Sequence, residues 1–310
     1  MRNAFADEVT NLAAEDSRIV LLSGDIGNRL FDKLRETTPQ QFLNCGIAEG
    51  NMMSVAAGMG LCGLRPIVYT IAPFVTTRCL EQIRVDVAYH NSPVIIVGTG
   101  SGLSYASLGP THHSLEDFAI LRAIPNMQIL APWDAPSLRD SLTQAIKSNI
   151  PTYIRIGKKG EKDITTKSEV PHIGSGVTIK EGSDFCIIAT GTIAHEAIKI
   201  SDKLTHWGHN SELILLHTIK PTPSVFIESV IEKHKFLFIL EEHSMIGGLG
   251  ESCEVLNSRN SKACKVKIFG TFDQFLHNVG SQNYAQNYFG INSEKIAQEI
   301  NNILKNENRF

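Results

Sequence analysis

Short apolar runs of strand length alternate with helix-length runs from one end of the chain to the other. This alternation calls for α/β layers around a largely parallel sheet, because each strand–helix–strand unit brings the chain back in the same direction. In the first half the strand-like runs are Arg18–Ser23, Gln41–Ile47, Pro66–Thr70, Val94–Thr99, Met127–Ala131 and Thr152–Ile156. Helices are expected near Glu49, Thr76, Ser114 and Asp134, with an amphipathic helix opening the chain, and Ser114 and Asp117 have the spacing of a capping box. A polar, charge-dense stretch from Gly157 through Pro171 to Gly176 reads as an exposed linker. The pattern then restarts with Phe185–Ala189, Leu213–His217, Phe236–Leu240 and Val266–Gly270, and with helices near Thr192, Thr222, Gly247 and Ser293. The fold class expected is two consecutive α/β domains with largely parallel sheets: residues 1–160, a linker at 161–180, and residues 181–310.

Bulk properties remove several classes of function. With 310 residues, 42% of them apolar, the chain can bury a sizeable core and is long enough for two domains. A net charge of −3, from 29 basic and 32 acidic residues, leaves no basic stripe and argues against nucleic acid as a partner. Apolar runs such as Val94–Val97 fall far below the roughly 20 residues of a membrane span. The start of the chain acquires acidic residues at once and has no signal-peptide apolar region. Six scattered cysteines, without a Cys-x-x-Cys pair and mostly inside apolar runs, read as reduced core residues of a cytoplasmic protein.

Chemistry concentrates in a few segments. Phe42–Ile47 reads as a short buried strand and Met52–Leu61 as a helix of small residues. Glu49 lies between them, in the first helical turn at the carboxyl end of a strand, where α/β sheets place ligands. A plain helix-dipole role, about 0.3–1 kcal/mol, is equally compatible with that spacing. Gly109-Pro110-Thr111-His112-His113-Ser114 sets two histidines in a loop before a helix. A zinc site from His112, His113, Glu116 and Asp117 fails on spacing, since these neighbours point to different faces. Gly98-Thr99-Gly100-Ser101-Gly102 invites a dinucleotide reading, but Leu103 stands where the third glycine belongs. Phosphate-loop and nucleophile-elbow motifs for nucleotide or serine hydrolysis are missing from the sequence. Phe74 after the strand Pro66–Thr70 is core by default, Asp25 in Ser23-Gly24-Asp25 is a turn or cap residue, and Arg155 is either an ion-pair residue or an anion hook. Glu241-Glu242-His243, before Gly247-Gly248-Leu249-Gly250, carries no chemistry that the sequence defines.

The wording of these segments adds a family. Gly46-Ile47-Ala48-Glu49-Gly50-Asn51-Met52 resembles the pyrimidine-domain signature of the transketolase family, and Gly109-Pro110-Thr111-His112 resembles its histidine loop. The resemblance spans nearly the whole chain, as a pyrimidine-binding domain followed by a transketolase C-terminal domain. It implies thiamine diphosphate as cofactor, with Glu49 hydrogen-bonded to the aminopyrimidine ring and favouring its imino tautomer. It implies His112 as the residue that reaches the thiazolium and the substrate carbonyl. Phe74 would stack on the aminopyrimidine, Gly24 and Asp25 would form the acidic turn near the cofactor, and His113 and Arg155 would meet substrate.

One family motif has no counterpart. The Gly-Asp-Gly…Asn pattern that holds the diphosphate through Mg²⁺ is missing, and Ser23-Gly24-Asp25-Ile26-Gly27 does not replace it, so no metal site is expected in this chain. The resemblance therefore implies the C-terminal subunit of a split transketolase-like enzyme. Its partner would be an N-terminal subunit carrying the diphosphate and metal motif, in a heterotetramer. The reaction would move a two-carbon ketol unit between a ketose and an aldehyde. Alternatives are a deoxyxylulose-phosphate-synthase-like enzyme, a 2-oxoacid dehydrogenase β subunit, or a non-catalytic assembly or regulatory subunit. Leu108 replaces the acid that precedes the family's Gly-Pro-Thr-His, and Gly100 falls where a second family histidine binds phosphate. Both departures point to a modified sugar or keto acid as substrate.

Overall fold

The computed structural model describes residues 1–27, 29–165 and 172–306. The first sheet holds β1 (Ile19–Ser23), β2 (Phe42–Asn44), β3 (Arg65–Ile71), β4 (Ile95–Thr99), β5 (Gln128–Leu130) and β6 (Thr152–Ile156). The second holds β7 (Val177–Lys180), β8 (Phe185–Thr190), β9 (Ser211–Leu215), β11 (Phe236–Ser244) and β12 (Lys265–Thr271), while β10 (Thr218–Lys220) crosses back to the first. The strand orders are β10-β5-β6-β4-β3-β1-β2 and β12-β11-β8-β9-β7. Pairing is parallel except at two edges, β10 against β5 and β7 against β9.

Helices cover both faces. They are α1 (Arg2–Glu15), α2 (Asp32–Thr37), α3 (Glu49–Leu61), α4 (Ala72–Val75), α5 (Leu80–Gln82), α6 (Asp117–Arg122), α7 (Ala135–Ser148), α8 (Ala194–His206), α9 (Ser224–Lys233), α10 (Leu249–Arg259), α11 (Gln282–Phe289) and α12 (Ser293–Lys305). A strand buried on both faces needs apolar residues throughout, and β1 shows the consequence. Val20 and Leu22 join one apolar cluster, with Val68, Ile96 and Ile129, and Ile19 and Leu21 join another, with Phe5 and Leu142. The first of these clusters continues into the second half through Ile188, Leu237 and Ile239, so the two sheets share buried apolar surface.

Several expectations need correction. The run Phe42–Ile47 is not a buried strand: β2 covers only Phe42–Asn44 at the sheet edge, and Ile47 is 80% exposed. No capping box forms at Ser114, because Asp117 starts α6 and turns its carboxylate inward. The chain becomes helical at Ala72 rather than Thr76 and proceeds in short segments to a π-helical stretch, Ile83–Tyr89. All six cysteines are free thiols, but Cys62 is exposed rather than core. Strand β7 falls within the segment read as a linker, of which residues 166–171 lie outside the described residues.

The inward carboxylate meets two partners. Tyr153 Oη donates to Asp117 Oδ2 at 2.7 Å, and Arg155 Nη1 donates to Asp117 Oδ1 at 3.1 Å. Arg155 Nη1 also reaches the Ser114 carbonyl at 3.1 Å, and its guanidinium lies 3.8 Å from the Phe118 ring centroid. Removing one member of a buried charge pair strands the other. Asp117→Ala is therefore expected to lower stability by about 3–5 kcal/mol, and a second change, Arg155→Met, to recover most of it. Urea unfolding with a constant m value measures this. A loss below about 1 kcal/mol would mark the pair as no stronger than a surface bridge.

Candidate active site

Parallel pairing of β1 with β2 and β3, and of β4 with β3 and β6, places the carboxyl ends of these strands along one edge. Gly24 and Asp25 leave β1 there, Glu49 follows β2, Phe74 follows β3 and the histidine loop follows β4. Gly24 approaches β3 closely: its N–H donates to the Tyr69 carbonyl, and a Cβ at this position would lie 3.2 Å from Thr70. Asp25 is exposed and accepts from Asn44 Nδ2 at 2.9 Å. Asn44 in turn accepts from the Gly46 N–H at 2.9 Å, which fixes the turn into α3.

Glu49 is the first residue of α3 and only 3% exposed. Arg78 Nη1 donates to its Oε2 at 2.9 Å, from a side chain that is 49% exposed. The same guanidinium sits 4.4 Å from the Phe74 ring centroid. The edge of Phe74 meets His112, with centroids 5.1 Å apart, and Tyr105 flanks His112 at 6.2 Å. Lys158 Nζ lies 4.5 Å from the Tyr105 centroid. A continuous path of contacts thus joins Glu49, Arg78, Phe74, His112, Tyr105 and Lys158. Glu49, Phe74 and His112 are brought together, and Arg78, Tyr105 and Lys158 are members that the sequence reading missed. Arg78 was not legible from spacing: it and Phe74 lie in separate short helical segments, and only their packing brings them together.

His112 is partly exposed, and Thr111 Oγ1 engages its Nδ1 at 2.9 Å. Burial pushes its pKa below the ordinary histidine value, which favours neutral imidazole at pH 7. His113 is buried, and its Nε2 has no hydrogen-bond partner among the described residues. Its pKa is lowered by burial first and by its neighbour His112 second. Arg155 lies elsewhere. It is 1% exposed and engaged with Asp117, so of the two roles open to it the geometry takes the ion pair rather than the anion hook.

At Gly100 the backbone is left-handed, φ +88°, and a Cβ would fall 2.1 Å from the Tyr105 ring. The Tyr105 ring fills the space that a side chain there would need. Leu108 is 49% exposed.

Fold and edge together define a two-domain α/β protein with a candidate site at the carboxyl ends of the first sheet's strands. The family model for the transketolase pyrimidine-binding domain matches residues 1–160, and that for the transketolase C-terminal domain matches residues 174–296. The chain belongs to the transketolase family. It is 31% identical over 307 residues to one of the subunits of the apulose-4-phosphate transketolase of Phocaeicola vulgatus, covering 98% of this chain and 97% of the relative. It is 32% identical over 314 residues to a putative transketolase C-terminal section of Methanocaldococcus jannaschii, with 99% and 97% covered. Among solved structures, a split-gene transketolase described as an inactive beta4 tetramer superposes with a TM-score of 0.88 at 28% identity, over 98% of this chain and 97% of that one.

The chain accordingly carries the pyrimidine-binding and C-terminal domains of the transketolase family, and with them a transketolase-like function. Dependence on thiamine diphosphate comes with the family. No helix among the described residues is long and apolar enough to cross a membrane.

The Phe74 contact generates a direct check. In an NMR titration of the chain, His112 should titrate below the ordinary value of 6.5, and Phe74→Ala, which opens its surroundings to water, should move the midpoint upward. An unchanged midpoint would show that Phe74 does not shield the imidazole.

Proposed function

We propose that the chain completes its active site with a separate N-terminal subunit, which holds the diphosphate and Mg²⁺, and that the substrate is a modified, anionic sugar. What carries the reading is the buried Glu49 carboxylate at the sheet edge, linked through Arg78 and Phe74 to His112. These residues fit the pyrimidine half of the cofactor. Glu49 offers a shielded acceptor and Phe74 an aromatic surface, while Gly24, close against Thr70, lets the chain turn beside them. Thiamine diphosphate, when bound, supplies the carbon nucleophile and electron sink that ketol transfer requires.

The chain's own residues then divide the work. Glu49 accepts the hydrogen bond of the pyrimidine ring nitrogen, in a setting where exclusion of water strengthens that bond. Arg78 balances its charge without using it up, because a carboxylate accepts several hydrogen bonds. Thr111 holds His112 Nδ1, leaving Nε2 to give or take a proton at the substrate oxygen. His113 offers a second polar contact, and Arg155 acts as a positioning residue behind the loop. Asp25 helps shape the acidic turn beside the cofactor.

A partner on this edge accounts for exposed apolar residues beside the reacting groups. Ile47 lies two residues from Glu49 and Leu108 four from His112, and both are exposed. Assembly as a heterotetramer and a cytoplasmic location accompany this reading. For the substrate, the relatives matter: besides the apulose-4-phosphate enzyme, a 6-deoxy-6-sulfo-D-fructose transketolase subunit of a Clostridium species is 29% identical over 311 residues. Each substrate named there carries an anionic group on an unusual sugar. Arg78 and Lys158, packed on rings that flank His112, would favour an anion. Leu108 cannot accept from the hydroxyl that the family's acid reads, and a site lacking that acceptor discriminates differently.

The test is a reconstituted pair. Glu49→Gln should keep its fold and its cofactor binding yet lose about 10²–10⁴-fold in turnover, the usual contribution of a proton-handling carboxyl. Wild-type turnover would remove Glu49 from the mechanism. His112→Ala should cost more than His113→Ala, and equal mild losses would return both to ordinary loop residues. Finally, kcat/KM should be higher on deoxy, branched or sulfonated sugars than on xylulose 5-phosphate with ribose 5-phosphate. A value of about 10⁴ M⁻¹s⁻¹ or more on the ordinary pentose phosphates would overturn the substrate assignment.

A further inference from the structure

The amino-terminal edge of the second sheet lies away from the catalytic loops and carries a cluster that ketol transfer does not use. Cys186 on β8 and Glu212 on β9 are direct partners in the parallel register, so their side chains share one face. His234, just before β11, comes in from the other side of β8, whose Cys186 is also paired with Leu237. All three residues are buried, and their ligand atoms lie within 4.8 Å of one another. His234 Nε2 already touches Glu212 Oε2, while its Nδ1 is buried with no hydrogen-bond partner among the described residues.

We propose that Cys186, Glu212 and His234 form a binding site for a divalent transition-metal ion, with zinc the ion that best suits the set. One thiolate sulfur, one imidazole nitrogen and one carboxylate oxygen are zinc donors, and four-coordinate zinc leaves a fourth position for water. Three ligands from three separate strand ends would staple the β8–β9–β11 edge, a role in stability rather than in ketol transfer. Lys233 now occupies the place of the cation: its Nζ lies 2.9 Å from Glu212 Oε2. That side chain is 51% exposed and has a second acid, Glu181, at 3.6 Å, so its ammonium can leave Glu212 for another partner. The exchange balances. The Cys186 thiol gives up its proton to solvent as sulfur bonds to the metal, and the ammonium moves away with its charge. Because the metal replaces the thiol proton, metal affinity should rise with pH.

Cobalt(II) added to the full chain is the probe, because a thiolate bound to cobalt gives a charge-transfer band in the near ultraviolet. The wild type should show the band, zinc should abolish it by competition, and zinc should raise the melting temperature reversibly with a chelator. Cys186→Ser should lose the band. Glu212→Gln and His234→Gln keep the thiol and should retain the band with affinity weakened roughly 10-fold or more, as losses around metal sites typically are. They also keep the test open if the serine variant does not fold. No band with cobalt in excess, or a band unchanged in Cys186→Ser, overturns the proposal. So does cobalt affinity that is unaltered in both Glu212→Gln and His234→Gln.

Discussion

The buried pair of Asp117 and Arg155 is the constraint on which the rest of the site depends. Two charges taken out of water are tolerated only when geometry and hydrogen bonds compensate the lost hydration. Here Tyr153 completes the carboxylate, and the Ser114 carbonyl takes the guanidinium, so β6, α6 and the end of the histidine loop are tied at one point. The second domain adds a layer. His243 on β11 stacks on Phe118 with centroids 5.0 Å apart and rings 16° from parallel. Burial pushes His243 down to about 4, so the ring stays neutral near pH 7 and adds no third charge.

The histidine loop inherits its shape from that anchor. At its start, the N–H groups of Gly100 and Ser101 both donate to the Ile156 carbonyl, next to Arg155. At its end, the Ser114 N–H donates to the Gly102 carbonyl and the Ser244 N–H to the Leu115 carbonyl. Glu242 packs under Gly102, where a Cβ would lie 2.6 Å from its side chain, and is itself held by Gln282 and Gln286. Glu241 accepts the Leu249 and Gly250 N–H groups at the start of α10. The second domain thus backs the loop that presents His112. A group on a loop keeps its geometry only if the elements behind it are rigid, which this arrangement provides.

Much of this was legible in the sequence because parallel strands leave a strong mark. Runs such as Val94–Val97 are apolar on both faces, and their order placed Glu49, Phe74 and His112 at one edge. What was not legible depends on tertiary context. Asp117 looked like a capping residue, but its carboxylate is taken by Tyr153 and Arg155, partners far away in sequence. Phe42–Ile47 looked buried, whereas β2 is an edge strand in which only Phe42 packs on the core, against Phe31, and Leu43 is exposed. Short edge strands such as β10 carry too few residues for a period to appear. Glu241-Glu242-His243 read as chemically silent because their task is to support a neighbouring loop. The Cys186, Glu212 and His234 cluster is assembled by strand register, which spacing alone does not reveal.

The central claim is that this chain supplies half of a shared cofactor site: the carboxylate, the aromatic ring and the histidine, but not the diphosphate and metal ligands. Calorimetric titration of thiamine diphosphate with Mg²⁺ tests it most directly, first into this chain alone and then into its mixture with an N-terminal transketolase subunit carrying Gly-Asp-Gly…Asn. The expected result is negligible binding to the chain alone and saturable binding to the mixture, with one cofactor per pair of unlike subunits. Tight, Mg²⁺-dependent binding to this chain alone would contradict it.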